Sequence, residues 1–276
     1  MDITDKLASG EIAAAYTVGA LTFKEALGVI FYRGQLAMQL QNSGVVQGGM
    51  AAVGLGVEGV EKYMTVIKSH GQVLVACVNS PSSVTLSGDL EALDEIVASL
   101  EQDGIFARKL KVPLAYHSHH MARISDLYTG QLAAILPEKS KSWDGVHFFS
   151  PVTGGIVTSA EPLSPPHWAR NLTSPVLFSQ AFESMCFNPD NSTNVDMIIE
   201  IGAHSTLGGP IKQILKARGV EIPYVSCLRR SFDAVETVQE IACDLLGRAY
   251  PVTLAPINFP LDIDVKTNEL ITDLPT

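Results

Sequence analysis

Charge is scarce in this chain. Asp, Glu, Lys and Arg make up only 17% of its 276 residues. Cations are the minority among them, 19 Lys and Arg against 29 Asp and Glu, for a net charge of −10. Phosphate binding needs surplus Lys and Arg, so nucleic acid is excluded as an expected partner, and a membrane surface is disfavoured for the same reason. Cysteine is scarce too. Cys77, Cys186, Cys227 and Cys243 lie far apart with no CxxC spacing. That pattern gives neither a zinc site nor a disulfide framework. Buried, reduced thiols in a cytoplasmic protein are the expectation. Long apolar runs are missing as well: residues 50–57 (MAAVGLGV) fall well short of the ~18 residues a spanning helix needs. No charged, apolar and small-residue succession opens the chain, so no secretory signal is expected. What the chain does have is hydrophobic residues, 46% of the total. That is enough for a sizeable core in one large domain or two modest ones, and it argues against disorder.

The N-terminal part reads as two helices, over residues 11–20 and 22–40, with Thr22 a plausible N-cap. From residue 48 the pattern changes. Strands are expected over 50–55, 73–79, 84–87 and 106–112, and helices over 57–69 and 89–102. Asn79-Ser80-Pro81-Ser82 supplies turn chemistry, and Asp89 is a candidate N-cap. The order β-α-β-β-α-β within residues 48–113 is that of a split βαβ, ferredoxin-like unit, and we read it as an insert. Beyond it a helix is expected over 121–136, a strand over 146–150, and helices over 166–172 and 175–187. Residues 195–201 form a continuous apolar run, the mark of a strand buried on both faces. A helix (207–218), a strand (222–226) and a closing helix (234–248) follow. Strands alternating with helices outside the insert imply a mainly parallel α/β sheet. Residues 251–276, with four prolines, read as an extended linker.

Four features could carry chemistry. Three of the seven histidines fall within four positions, in Tyr116-His117-Ser118-His119-His120-Met121. They could be metal ligands, a general base, or a polar loop. Metal is disfavoured, because adjacent side chains cannot all converge on one ion and no acidic or cysteine cluster stands beside them in sequence. Arg33, in Tyr32-Arg33-Gly34-Gln35, could grip a carboxylate through two parallel hydrogen bonds, or could be an ordinary surface charge on an amphipathic helix. Lys6-Leu7-Ala8-Ser9-Gly10 stands where a small-residue turn feeds a helix, as in a G-x-S-x-G nucleophile elbow, although the central residue is Ala8. It could equally be a helix start, with Ser9 as cap and Glu11 complementing the dipole. Finally, residues 200–205 (EIGAHS) could face a phosphate or simply turn a strand into a helix. They lack a Walker lysine and a full G-x-G-x-x-G.

The ordered set of motifs resembles the acyltransferase domain of type I polyketide synthases, in wording closest to fungal highly reducing synthases. The similarity runs through residues 9–16 (SGEIAAAY), Tyr32-Arg33-Gly34, Val78-Asn79-Ser80-Pro81, Ser87-Gly88-Asp89, residues 116–121, residues 149–154 (FSPVTG), residues 168–178 (WARNLTSPVLF) and Ile199-Glu200-Ile201-Gly202. It covers nearly the whole chain, including the tail. It implies an α/β-hydrolase-like core, over residues 1–47 and 114–250, with the ferredoxin-like insert at 48–113 and a post-domain linker at 251–276. It implies transfer of a malonyl group from malonyl-CoA, through an active-site serine, to the phosphopantetheine thiol of an acyl carrier protein. Acyl-CoA, the acyl carrier protein and adjacent synthase domains are then the partners, and no catalytic cofactor or metal is implied. Carried over by position, His119 is the general base, Asn171 orients it through its backbone carbonyl, Arg33 grips the malonyl carboxylate, and Ser9 offers its backbone N–H as an oxyanion donor.

Where the family has G-H-S-x-G-E, this sequence reads Lys6-Leu7-Ala8-Ser9-Gly10-Glu11, so alanine stands in the nucleophile's place. Ser9 is rotated by roughly 100° from that position by helix periodicity. The family's upstream G-Q-G turn has no counterpart, and the expectation is that upstream sequence is missing or replaced by residues 1–8. The alternative to the enzyme is a non-catalytic remnant that binds acyl-CoA or neighbouring synthase domains. A serine hydrolase is a third reading, against which Arg33 argues, because neutral esters need no carboxylate clamp.

Overall fold

The computed structural model describes residues 3–65, 67–136, 143, 145–160 and 162–258. By compactness the chain divides into two units, Met1–Val195 with Gly209–Glu221, and Asp196–Gly208 with Ile222–Thr276. This division does not separate residues 48–113 from the first unit.

The first unit opens with two helices, α1 (Ile3–Thr17) and α2 (Phe23–Asn42). Thr22 caps α2 with a full capping box. Its hydroxyl accepts from Glu25 N at 3.3 Å, and the Glu25 carboxylate accepts from Thr22 N at 2.6 Å, which satisfies two donors left over at the helix start. α1 begins earlier than the expected 11–20, so residues 6–11 lie within a continuous helix and not at its start.

Next come β1 (Gly48–Val53), α3 (Val57–Met64), β2 (Val73–Ser80), β3 (Ser83–Asp89), α4 (Leu90–Gln102) and β4 (Ala107–Lys109), the order expected from sequence. The four strands make one antiparallel sheet in the order β2-β3-β1-β4. Ala92, Leu93, Ile96 and Leu100 of α4 bury their apolar stripe in a core shared with Val53, Val84 and Leu86 of the strands. Gly88 is required where β3 passes β2, since a Cβ there would stand 2.0 Å from the Gln72 carbonyl oxygen. At the outer edge of β2, Val176 forms a parallel bridge with Cys77, and its backbone bonds to Ala76 O and Val78 N at 2.9 Å each.

The rest of this unit is α5 (His119–Ala133), a short antiparallel hairpin of β5 (Phe148–Ser150) and β6 (Gly155–Val157), α6 (Pro165–Thr173) and α7 (Phe178–Cys186). A second core joins α1, α2, α5 and α6 around Leu36, Met121, Tyr128, Leu132, Trp168 and Leu172. Trp168 is fully buried and donates its indole N–H to Leu163 O at 3.0 Å. α8 (Gly208–Arg218) also lies in this unit from Gly209 onward.

The second unit holds β7 (Ile198–Glu200), β8 (Tyr224–Ser226), α9 (Ala234–Gly247) and α10 (Ala255–Asn258). β7 and β8 pair in parallel. Beyond the lone Cys77–Val176 bridge, this is the extent of parallel pairing among the described residues, less than the mainly parallel sheet expected. β7 is also not the doubly buried strand that its run of apolar residues implied. Ile199 and Ile201 are 38% and 88% exposed; the strand has one neighbour, and only Ile198 and Glu200 face inward. Residues 251–258 belong to this unit and include α10, whereas the rest of the expected linker, 259–276, lies outside the described residues. Of the four free thiols, Cys77 and Cys186 are buried as expected, but Cys227 is half-buried and Cys243 is exposed. Among the described residues no helix is long and apolar enough to cross a membrane.

Candidate active site

Arg33 is not the surface charge that its helix suggested. It is 3% exposed, on the face of α2 that meets α5 and α6. Its Nη1 donates to the side-chain oxygen of Asn171. Its Nη2 is buried and has no hydrogen-bond partner. Asn171 turns its amide nitrogen the other way, to Ala8 O at 3.0 Å and to the Glu11 carboxylate at 2.6 Å. One neutral side chain thereby connects a buried cation to a buried anion. Glu11 also accepts from His167 Nε2 at 3.0 Å and from the hydroxyl of Ser150. All of these residues are under 5% exposed. Buried charge is tolerated only where hydrogen bonds replace the lost water, and this network supplies them from α1, α2, β5 and α6. Glu11 is therefore a hub of the buried network and not a surface residue tuning a helix dipole.

The histidine beside Arg33 is His117. It is 1% exposed and sits just before Ser118, the N-cap of α5. Its backbone has φ 57, a left-handed conformation uncommon outside glycine. Its N–H donates to Leu172 O at 3.2 Å, and its Nδ1 lies 3.0 Å from Ser174 O. A carbonyl can only accept, so Nδ1 carries the proton and Nε2 keeps its lone pair. That Nε2 is buried and without a partner. Burial holds the imidazole pKa down to about 3, and the positive charge of Arg33 adds to the effect. The ring is therefore neutral at neutral pH.

His119 stands elsewhere. It opens the first turn of α5, half-buried, with Nε2 3.2 Å from Asp89 Oδ2. Its neighbour His120 is buried, with Nε2 2.7 Å from Asp89 Oδ1. The residues at 117 and 119 diverge because Ser118 switches the backbone from the left-handed loop into the helix. The expected pairing of Asn171's carbonyl with His119 is thus replaced by a pairing of the Leu172 and Ser174 carbonyls with His117. Asn171 acts at the site through its side chain.

Ala8 is fully buried within α1, and Ser9 follows it in the same helix. Past the first turn of a helix, backbone N–H groups bond within the helix. Ser9 N–H is therefore not presented as an oxyanion donor in this arrangement, which corrects that carry-over. The phosphate reading of the 200–205 turn is also resolved. The Glu200 carboxylate takes Thr206 N, Thr206 Oγ1 and Leu207 N at 3.0, 3.1 and 3.1 Å, filling the place an anion would occupy.

The sequence reading missed His117, Glu11, Ser150 and His167 as members of the site. His117 left a signal as one of the clustered histidines, Glu11 as the last residue of the stretch set against G-H-S-x-G-E, and Ser150 within residues 149–154.

The site thus sets a buried, neutral imidazole beside a buried guanidinium, in a fold of mixed α and β structure. Residues 8–244 match the family model described as the acyl transferase domain, and the chain belongs to that family. It is 50% identical over 278 residues to the highly reducing polyketide synthase pks5 of Leptosphaeria maculans, a match covering 97% of this chain and 10% of that protein. To the highly reducing polyketide synthase sor1 of Hypocrea jecorina it is 47% identical over 257 residues, covering 91% and 10%. The chain thus spans about a tenth of the curated relatives it matches. Among solved structures, the acyltransferase domain from module 8 of the salinomycin polyketide synthase superposes with a TM-score of 0.73 at 28% identity, covering 88% of this chain and 54% of that one. The resemblance drawn from the ordered motifs is the one these comparisons find.

Proposed function

We propose that this chain is the acyltransferase domain of a polyketide synthase, and that its buried site is built to hold the malonyl group of malonyl-CoA on its way to the phosphopantetheine thiol of an acyl carrier protein. The observation that carries this reading is Arg33, a buried guanidinium fixed by Asn171 at one nitrogen and unpartnered at another. A malonyl group ends in a free carboxylate, and a carboxylate is the acceptor that a planar guanidinium engages best. On this reading His117, and not His119, is the base. It is neutral, its tautomer is set by Ser174 O, and its Nε2 is free to take a proton. Exchange between two thioesters calls for no catalytic cofactor. The antiparallel order β2-β3-β1-β4 with two crossover helices supports reading residues 48–113 as the ferredoxin-like insert, and the parallel β7–β8 pair supports a hydrolase-like core.

One observation favours a second reading for the chain as it stands. Transfer through an ester needs a side-chain oxygen to attack the thioester carbonyl while the CoA sulfur leaves and takes up a proton. Ala8 has no such oxygen. The chain then binds malonyl-CoA without turnover. Incubation with radiolabelled malonyl-CoA, followed by acid trapping and peptide mass spectrometry, tests this. Reversible binding without covalent label is expected. A stable malonyl ester on Ser9 would overturn the second reading, and failure to bind malonyl-CoA better than acetyl-CoA would overturn the first.

A further inference from the structure

The sequence set a metal aside because no carboxylate adjoins the histidine cluster. The fold brings one there. Asp89 ends β3 and precedes α4, and it meets His119 and His120 at the start of α5. We propose that Asp89, His119 and His120 form a binding site for a divalent transition-metal ion of the zinc type. This site is separate from the Arg33–His117 pair and does not depend on the function proposed above.

The three residues can each offer one ligand atom, and these atoms all lie within 4.8 Å of one another. Two neighbouring residues of a helix manage this because their rings stand edge to face, with centroids 4.4 Å apart at 84°. Ligand atoms about 2.0–2.1 Å from a tetrahedral zinc ion stand about 3.3 Å from one another. The His119–Asp89 separation of 3.2 Å already fits that spacing. His120 Nε2 lies 2.7 Å from the other carboxylate oxygen, Oδ1, so side-chain rotation has to bring it to the same spacing from the one oxygen that ligates. Two imidazoles and one carboxylate suit zinc, cobalt or nickel, whereas magnesium and calcium favour oxygen donors throughout.

The surroundings fit as well. Gln72 N donates to Asp89 Oδ2 at 2.7 Å, the kind of outer hydrogen bond that holds a ligating carboxylate in place. The Asp89 side chain therefore does not cap α4, although the residue sits at the N-cap position. Nδ1 of His119 and Nδ1 of His120 have no hydrogen-bond partner. The Asp89 carboxylate accepts from each Nε2; an ion bound at Nε2 displaces that proton to Nδ1, where no donor opposes it. The side chains of His119 and Asp89 are 30% and 36% exposed, which gives the ion an entry path and leaves room for water as a fourth ligand. An ion here would tie the four-stranded sheet to α5.

The test uses the whole chain, freed of any affinity tag and stripped with chelator, then dialysed against zinc chloride and, separately, cobalt chloride. Bound metal is measured by elemental analysis, and the cobalt form by visible absorption. One equivalent of zinc is expected, with the intense absorption of tetrahedral cobalt. His119→Gln and Asp89→Asn should each weaken binding by at least about tenfold. His204→Gln and Cys243→Ser, which alter ligand-type side chains outside the cluster, should leave it unchanged. His119 is partly exposed, so its variant is expected to keep the far-ultraviolet circular dichroism of the parent. Substoichiometric zinc at micromolar free ion, or zinc binding that survives His119→Gln and Asp89→Asn alike, would overturn the proposal.

Discussion

Replacing Arg33 with alanine removes the cation around which the buried site is assembled. The effect has two parts. One is common to every ligand. Asn171 Oδ1 loses its donor, and a buried acceptor left unpaired costs about 1–3 kcal/mol of stability. The other part depends on the ligand. If the unpartnered Nη2 of Arg33 receives the malonyl carboxylate, truncation leaves that carboxylate buried and unpaired, a loss of about 2–5 kcal/mol. At about 1.4 kcal/mol per decade this weakens malonyl-CoA binding by roughly thirtyfold to several thousandfold. Acetyl-CoA has no carboxylate to strand, so its affinity should change far less. The ratio of the two affinities, measured by calorimetry on folded wild-type and variant protein, removes the common part. Arg33→Lys should recover only a fraction, since an ammonium cannot present the planar fork. A malonyl-to-acetyl ratio unchanged by Arg33→Ala would refute the assignment of Arg33 as the carboxylate clamp.

Glu11→Ala strips the acceptor from His167, Ser150 and Asn171 together. It should cost about 3–5 kcal/mol, a fall of about 10 °C in the thermal midpoint, with Glu11→Gln losing less because it keeps one acceptor oxygen. Gly88→Ala drives a Cβ to 2.0 Å from the Gln72 carbonyl oxygen; equilibrium urea unfolding should show a loss of about 1–3 kcal/mol. Gly10→Ala has the opposite sign. The site is exposed, lies in the interior of α1 and has nothing within 4 Å of the added Cβ, so the same assay should show a gain of about 0.5–1 kcal/mol.

The four-stranded unit was legible in the sequence because its signals are local. Asp89 marks a helix start, residues 79–82 mark a turn, and α4 repeats its apolar residues at a clean helical period. The hairpin of β5 and β6 was half missed. Its strands are three residues each, too short for alternation to register. Residues 195–201 misled, because a run of apolar residues does not say how many faces find neighbours. At the site, the sequence singled out Arg33, but its burial depends on Asn171, 138 residues away along the chain. The choice between His117 and His119 depends on Ser118 starting a helix between them, and on carbonyls of residues 172 and 174. Glu11, Ser150 and His167 become a site only when three separate elements meet.

The bridge between Cys77 and Val176 bears on how readily the four-stranded sheet can pair with another chain. A β-strand at the margin of a sheet offers a row of free backbone groups to any other chain, and a polypeptide with few charges has little repulsion to prevent that pairing. Here one margin of the four-stranded sheet is closed from within, as Ala76 O and Val78 N are already bonded to Val176. The opposite margin is β4, only three residues long, ending in exposed Arg108 and Lys109, with Lys109 paired to Asp94 at 2.5 Å. A short, cationic strand is a poor template for a neighbour. Both margins are thus guarded, one by a segment far along the chain and one by charges that the composition otherwise withholds.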